Sequence, residues 1–133
     1  MGCCGATFSY PEVDEANSID ELYKELNNKL NQIQTEIKEL DDYLLDKSNI
    51  PKTVDVSYLS DNEINNRKSY LEKYEKSLEN INKIVSENRE MDIYKTKDQI
   101  HSLYDCYYLK DDSQGNLKKI EDNIKILAQN SKT

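Results

Sequence analysis

Apolar residues recur at helical spacing along a first segment, from residue 18 to residue 47. They are Ile19, Leu22, Leu26, Leu30, Ile33, Ile37, Leu40 and Leu44. Steps of three and four residues place one apolar stripe on one helix face, close to the period of helices that pack along each other. Ser18 and Glu21 have the spacing of a capping box, which predicts where this helix begins, and Pro51 bars its continuation.

A second segment, from residue 60 to residue 88, shows the same kind of pattern. Its stripe consists of Ile64, Leu71, Tyr74, Leu78, Ile81 and Val85. Ser60 and Glu63 again form a capping box. Arg67 occupies the stripe between Ile64 and Leu71. We expect such an arginine at the edge of the core, with its stem packed and its head in water, and a buried polar contact is the alternative.

Two shorter patterns follow, over residues 91–109 and 115–129. Their apolar and aromatic positions are Met91, Tyr94, Ile100, Leu103, Tyr104 and Tyr107, then Leu117, Ile120, Ile124 and Leu127. Residues 1–17 show no period and are predicted to be a flexible leader. The whole pattern predicts an all-α fold, an antiparallel bundle of three to four helices over residues 18–130.

Composition and charge agree with a small helical protein and reduce the classes of partner that we expect for it. The chain has 133 residues, of which 33% are charged, with only 3 Gly and 2 Pro. Its formal net charge is −8, and no basic stripe is visible, so we expect no nucleic-acid partner. No run of about 18 apolar residues is present, so no membrane-spanning helix is predicted.

The N-terminal residues MGCCG suggest attachment to a membrane by acyl groups. Gly2 is the acceptor for myristate once Met1 is removed, and one myristoyl chain binds a bilayer only weakly. The second signal is usually a basic patch or a palmitate, and no Lys or Arg precedes Lys24, whereas Cys3 and Cys4 offer thiols for palmitate. Ala6 departs from the usual Ser or Thr at that position. The alternative is that both cysteines are ordinary free thiols.

Nothing in the sequence predicts an active site, a cofactor, a metal site or a small-molecule substrate. No glycine-rich phosphate loop is present, and the single histidine, His101, lies five residues from Cys106, which turns the two side chains to different helix faces. These two residues also lack a zinc-site spacing. The 10 tyrosines are expected to pack between helices, some of them as part of a partner surface.

The start of the second helix resembles the last helix of the N-terminal domain in the syntaxin 6 group of SNARE proteins. There a leucine precedes the cap, followed by an acidic residue, an aliphatic residue, and an Arg-Lys pair two residues before an aromatic one. The corresponding residues here are Leu59, Glu63, Ile64, Arg67, Lys68 and Tyr70. The end of the helix before it is similar at Leu40, Asp41 and Asp42.

This resemblance covers about residues 18–86 and implies a helical adaptor or regulatory domain of Golgi or endosomal vesicle traffic. The first helix of those syntaxins, their SNARE motif and their C-terminal span have no counterpart here, so fusion activity is not implied. Two alternatives remain open. One is a lipidated scaffold of the cell cortex or cytoskeleton unrelated to SNAREs, and the other is a soluble coiled-coil subunit. If the protein is the adaptor or the lipidated scaffold, we expect it on the cytosolic face of a Golgi, endosomal or plasma membrane.

Arg67, Lys68 and Tyr70 form the candidate surface for a protein partner, such as a SNARE helix. An arginine and an aromatic residue within one turn are enriched at binding hot spots, and a basic element in an acidic chain would select an acidic partner. The alternative is that Arg67 pairs with a carboxylate of the bundle, such as Asp41 or Asp42.

Overall fold

The computed structural model describes residues 9–110 and 112–132, which form helices without any strand. The helices are α1 (Pro11–Asp14), α2 (Ile19–Leu45), α3 (Asp61–Glu87), α4 (Ile93–Leu109) and α5 (Asn116–Asn130). The all-α prediction is confirmed, and the four predicted helices begin and end within two residues of α2 to α5.

Contacts between side chains define the directions of the helices. α2 and α3 are antiparallel, since Asn82 binds Asn27 near one end of the pair and Lys47 binds Asp61 at the other. α3 and α4 are also antiparallel, because Tyr70 and Tyr74 of α3 reach the carbonyl groups of Cys106 and Leu103 in that order. α5 turns back along α4, since Leu117 binds Asp112 just after α4 whereas Asn123 binds Gln99 nearer the start of α4. The four long helices therefore alternate in direction.

α3 is the central helix of the bundle, packing against both α2 and α5. Its predicted stripe is fully buried, with 0% exposure at Ile64, Leu71, Tyr74, Leu78, Ile81 and Val85. The prediction was less accurate for α4, where Tyr94 is 75% exposed, and for α5, where Ala128 is buried while Leu127 is only partly covered.

The two predicted helix starts differ in detail. At Ser60 the complete capping box forms, because the Ser60 hydroxyl accepts from the Glu63 N–H and the Glu63 carboxylate accepts from the Ser60 N–H. The Ser18 hydroxyl likewise accepts from the Glu21 N–H, but the Glu21 carboxylate accepts from the backbone of Asn17 instead of Ser18. Glu21 thus fixes Asn17, the residue that precedes the N-cap.

The prediction of a flexible leader is wrong for residues 10–16. Tyr10, Val13 and Ala16 lie three residues apart and are buried against the bundle, with 7%, 0% and 4% exposure. Val13 lies in α1 and the other two flank it; α1 begins at Pro11 and contacts α2 and α4. A one-turn helix is too short to show a period in a window of about 11 residues, which is why the sequence pattern missed it. Residues 1–8 lie outside the described residues.

The α2–α3 hairpin is longer than the α4–α5 hairpin. The loop that joins α2 to α3 packs back onto α2. α2 and α3 have 27 residues each, against 17 in α4 and 15 in α5. Loop 46–60 folds back so that the Thr53 hydroxyl and the Thr53 and Lys52 N–H groups donate to one Glu39 carboxylate oxygen. These hydrogen bonds lower the pKa of Glu39, and the bond from the Thr53 hydroxyl has the largest effect. Pro51 and Val56 of this loop are buried.

Candidate functional site

The predicted acylation residues Gly2, Cys3 and Cys4 lie outside the described residues. The third cysteine, Cys106, is a free thiol that is only 4% exposed. Burial, together with the nearby Asp112 carboxylate, raises the pKa of this thiol. Since a buried, protonated thiol reacts slowly, reagents for thiols should distinguish Cys3 and Cys4 from Cys106.

Arg67 lies inside the bundle and pairs with Glu36 of α2. Its Nε donates to a Glu36 carboxylate oxygen at 2.8 Å, and the two side chains are only 14% and 5% exposed. The expectation that the arginine head lies in water is therefore wrong, and the buried polar contact is what forms. The suggested partners Asp41 and Asp42 are also wrong, because they pair with Lys68 and Lys38.

Tyr107 of α4 completes the Arg67 cluster. Its hydroxyl donates to the other oxygen of Glu36 at 2.6 Å. Burial and the Glu36 carboxylate raise the pKa of Tyr107, which keeps its hydroxyl protonated as a donor. One buried carboxylate thus receives a guanidinium from α3 and a phenol from α4, and it joins three helices.

The other two residues of the predicted partner surface also make contacts within the bundle. The Lys68 ammonium pairs with Asp41 of α2, at side-chain exposures of 24% and 48%. The Tyr70 hydroxyl donates to the carbonyl oxygen of Cys106, in the last turn of α4, and this oxygen also accepts from the Lys110 N–H that caps the helix. The structure therefore brings Arg67, Lys68 and Tyr70 to one region and gives each a role in packing.

A surface cavity of about 320 Å³ is where this region meets solvent. It is lined by Leu59, Glu63, Asn66, Arg67, Tyr70 and Lys110. Lys110 follows α4 in the left-handed conformation, with φ of 54°, and its backbone caps the helix by donating to Cys106. Although Lys110 is exposed as a residue, the protein atoms around its ammonium group and the neighbouring Arg67 charge lower the pKa of Lys110. Two basic groups and one carboxylate thus surround an opening wide enough for a side chain.

Tyrosine hydroxyls link α4 to its neighbours throughout the bundle. Besides the bonds of Tyr70 and Tyr107, Tyr74 donates to the Leu103 carbonyl at 2.7 Å, and Tyr104 donates to Glu25 at 3.3 Å. Burial raises the pKa of both Tyr74 and Tyr104. The sequence predicted that tyrosines pack between helices, but it contained no signal for which groups they bind.

α1 is held to α4 by polar contacts in addition to its apolar face. The Tyr10 hydroxyl donates to Asp105 at 2.7 Å, and its ring packs edge-on against Tyr104 at 5.2 Å. Asp14 lies 2.7 Å from His101 Nε2 and offers its carbonyl to the Lys97 ammonium at 2.9 Å. These contacts place Tyr10 nearer to the C-terminus of α4 than Asp14 is.

Across residues 9–110 and 112–132, no group of three His, Cys, Asp or Glu side chains is placed to hold a metal ion. No helix in the same residues is long and apolar enough to cross a membrane. No protein-family model, no curated protein and no solved structure matches this chain. The resemblance to the syntaxin 6 group therefore stays a prediction.

Proposed function

We propose that this chain is a non-enzymatic helical adaptor, held at the cytosolic face of a membrane by acyl groups on Gly2 and on Cys3 or Cys4. The observation that supports the anchor most is the attachment of Tyr10, which is buried against α4. Only six residue steps separate Cys4 from Tyr10, which limits the tether to about 20 Å. An acyl group at Cys4 would therefore hold the bundle itself against the bilayer.

The proposed partner is an acidic segment of another protein, in keeping with the resemblance to a trafficking domain. Its docking site is the cavity beside Arg67, where Lys110 is the exposed basic group. Arg67 is already paired with Glu36, so its role is to position the cavity wall. Lys110 is the group that remains available to a carboxylate of the partner, and charge complementarity of this kind speeds association and selects among partners.

Fractionation of cells that express full-length variants tests the anchor. We expect wild-type protein in the membrane fraction and Gly2→Ala in the soluble fraction, because palmitoylation depends on prior membrane contact through myristate. The double variant Cys3→Ser, Cys4→Ser keeps one chain, with a partition constant on the order of 10⁴ M⁻¹, and should wash off. Gly5→Ala is the matched control and should behave as wild type. Gly2→Ala protein that pellets like wild type would contradict the anchor.

Capture of partners by the variant Lys110→Glu tests the docking site. The wild-type bundle should retain an acidic protein that Lys110→Glu loses, while the thermal melt of the variant stays close to that of wild type. Lys132→Glu, at the other end of the bundle, is the charge-matched control. If Lys110→Glu retains the same proteins as wild type, the cavity is not the docking site.

A further inference from the structure

Large apolar side chains that remain exposed are concentrated in one half of the bundle. In the described part of the chain, side chains of this kind with at least 46% exposure are Leu45, Ile50, Tyr58, Tyr94, Tyr108, Leu109 and Ile126. α2 and α4 run in the same direction, because Tyr104 binds Glu25 while Tyr107 binds Glu36. The C-termini of α2 and α4 and the loop 46–60 therefore share one half, which we call the loop half.

Five of these seven side chains belong to the loop half. Leu45, at 86% exposure, ends α2, and Ile50 and Tyr58 lie in loop 46–60 with 67% and 75% exposure. Tyr108 and Leu109 end α4. The other two lie at the opposite end, Tyr94 in the first turn of α4 and Ile126 near the end of α5. Apolar side chains that gather at one end of a bundle can contact another apolar phase, whereas singly scattered ones need no such explanation.

The N-terminal chain runs toward this same half. Asp14 contacts His101 and Lys97, whereas Tyr10 contacts Asp105, so the chain moves toward the C-terminus of α4 as it is followed back from residue 14 to residue 10. α2 extends nine residues beyond Glu36, which is about 14 Å of helix. The tether of about 20 Å between Cys4 and Tyr10 is long enough to cover that distance.

We propose that Leu45, Ile50 and Tyr58 form a second contact with the lipid bilayer, at the end of the bundle that the proposed acyl groups are able to reach. This inference rests on the proposed anchor. The acyl groups would hold the bundle at the membrane, and the three side chains would enter the boundary between headgroups and acyl chains. Tyrosine favours that boundary, because its ring is apolar and its hydroxyl remains hydrated.

The charges around loop 46–60 point to a neutral lipid surface. Lys47 and Lys52 are outnumbered by Asp46, Asp55 and Asp61, and Lys47 already pairs with Asp61 at 2.8 Å. No basic cluster that would recognise anionic lipids is present in this segment. The contact should therefore form on phosphatidylcholine and gain nothing from phosphatidylserine.

A single-tryptophan experiment tests the contact separately from natural acylation. The chain contains no Trp, so Tyr58→Trp and Tyr94→Trp each supply one reporter, and the two tyrosines are equally exposed at 75% at opposite ends. Full-length protein is coupled through Cys3 and Cys4 to a maleimide lipid in phosphatidylcholine vesicles, with a short reaction time because Cys106 is buried and reacts slowly. Brominated lipids should quench the Tyr58→Trp variant at least twofold more than the Tyr94→Trp variant, and iodide should quench it less.

Equal quenching of the two variants by brominated lipid would overturn the proposal. Shielding of the Tyr58→Trp reporter from iodide before any vesicle is added would also overturn it, because a second copy of the chain would then occupy the surface. These outcomes do not depend on whether cells acylate Gly2, since the anchor is supplied chemically.

A second measurement uses protein myristoylated at Gly2. Leu45→Ser with Ile50→Ser should lower its partition coefficient on phosphatidylcholine vesicles about tenfold. The matched double variant Tyr94→Ser, Ile126→Ser should leave it unchanged. Equal loss in both pairs would contradict the contact. Failure of the wild-type myristoylated protein to bind would contradict the anchor, and the quenching of the maleimide-coupled variants would then decide the contact by itself.

Discussion

Replacement of Arg67 by methionine should destabilise the bundle strongly, although the change adds apolar surface. Met resembles the arginine stem in length but cannot pair with Glu36, whose side chain is 5% exposed. The Glu36 carboxylate would keep only the hydrogen bond from Tyr107. Without the guanidinium, this carboxylate would have no counter-charge in a site from which water is largely excluded.

The size of the effect follows from the burial of both partners. Breaking a buried ion pair by removing one partner typically costs about 3–5 kcal/mol, because the charge that remains is uncompensated. A domain has only about 5–15 kcal/mol of stability in total. At this chain length such a loss corresponds to a fall in Tm of about 10–20 °C.

Thermal and urea unfolding followed by circular dichroism measure this loss. Lys68→Met is the matched control, since Lys68 is the next residue and its pair with Asp41 is more exposed to solvent than the Arg67–Glu36 pair, so we expect a loss under about 1 kcal/mol. Glu36→Gln added to Arg67→Met should restore much of the stability, because an amide accepts from Tyr107 without carrying a charge. A loss below about 1 kcal/mol in Arg67→Met alone would refute the buried pair.

Two further predictions concern the ends of the helices. The Asp112 side chain is 4% exposed, and burial alone would raise its pKa, but hydrogen bonds from the Leu117 N–H and Lys73 outweigh burial and lower it. Its contribution to stability is therefore present at neutral pH and is lost as pH falls below about 4. Urea melts of Asp112→Ala should show a loss of about 1–2 kcal/mol at pH ~7 and a much smaller loss at pH ~3. Val13→Asp should detach α1 before it unfolds the bundle. Limited proteolysis should then cleave within residues 9–17, while the thermal melt of the remaining bundle barely changes. Glu15→Ala is the control and should stay uncleaved. An unchanged cleavage pattern would contradict the packing of α1.

The sequence predicted the parts of the fold that depend on a long period. α3 is the best example, because its stripe from Ile64 to Val85 spans about six turns and every apolar member is fully buried. The start of α3 was equally clear, since the capping box at Ser60 depends on two residues three positions apart. Such signals are local, so tertiary context did not alter them.

The parts that were missed depend on pairs of residues far apart in the chain. Glu36 precedes Ile37 of the predicted apolar stripe. It becomes a core residue only because it pairs with Arg67, 31 residues away in the chain. An arginine on an apolar stripe does predict that some acid faces it, but the choice among Glu36, Asp41 and Asp42 depends on the register of α2 against α3. The burial of Tyr10 similarly depends on α4, which lies 95 residues from it at Asp105.

The net charge of −8 bears on both proposed membrane contacts and gives them a common test. An anionic leaflet repels this chain, and neither the N-terminal segment nor loop 46–60 carries a basic cluster to offset that repulsion. Acyl groups and the side chains of Leu45 and Ile50 bind through apolar burial, which salt does not screen. Raising the salt concentration from about 0.05 M to about 0.5 M shortens the range of the repulsion and should therefore leave vesicle binding of the myristoylated protein unchanged or strengthen it. Release of the protein from vesicles by salt would show that ionic contacts hold it there, and both apolar contacts would then have to be abandoned.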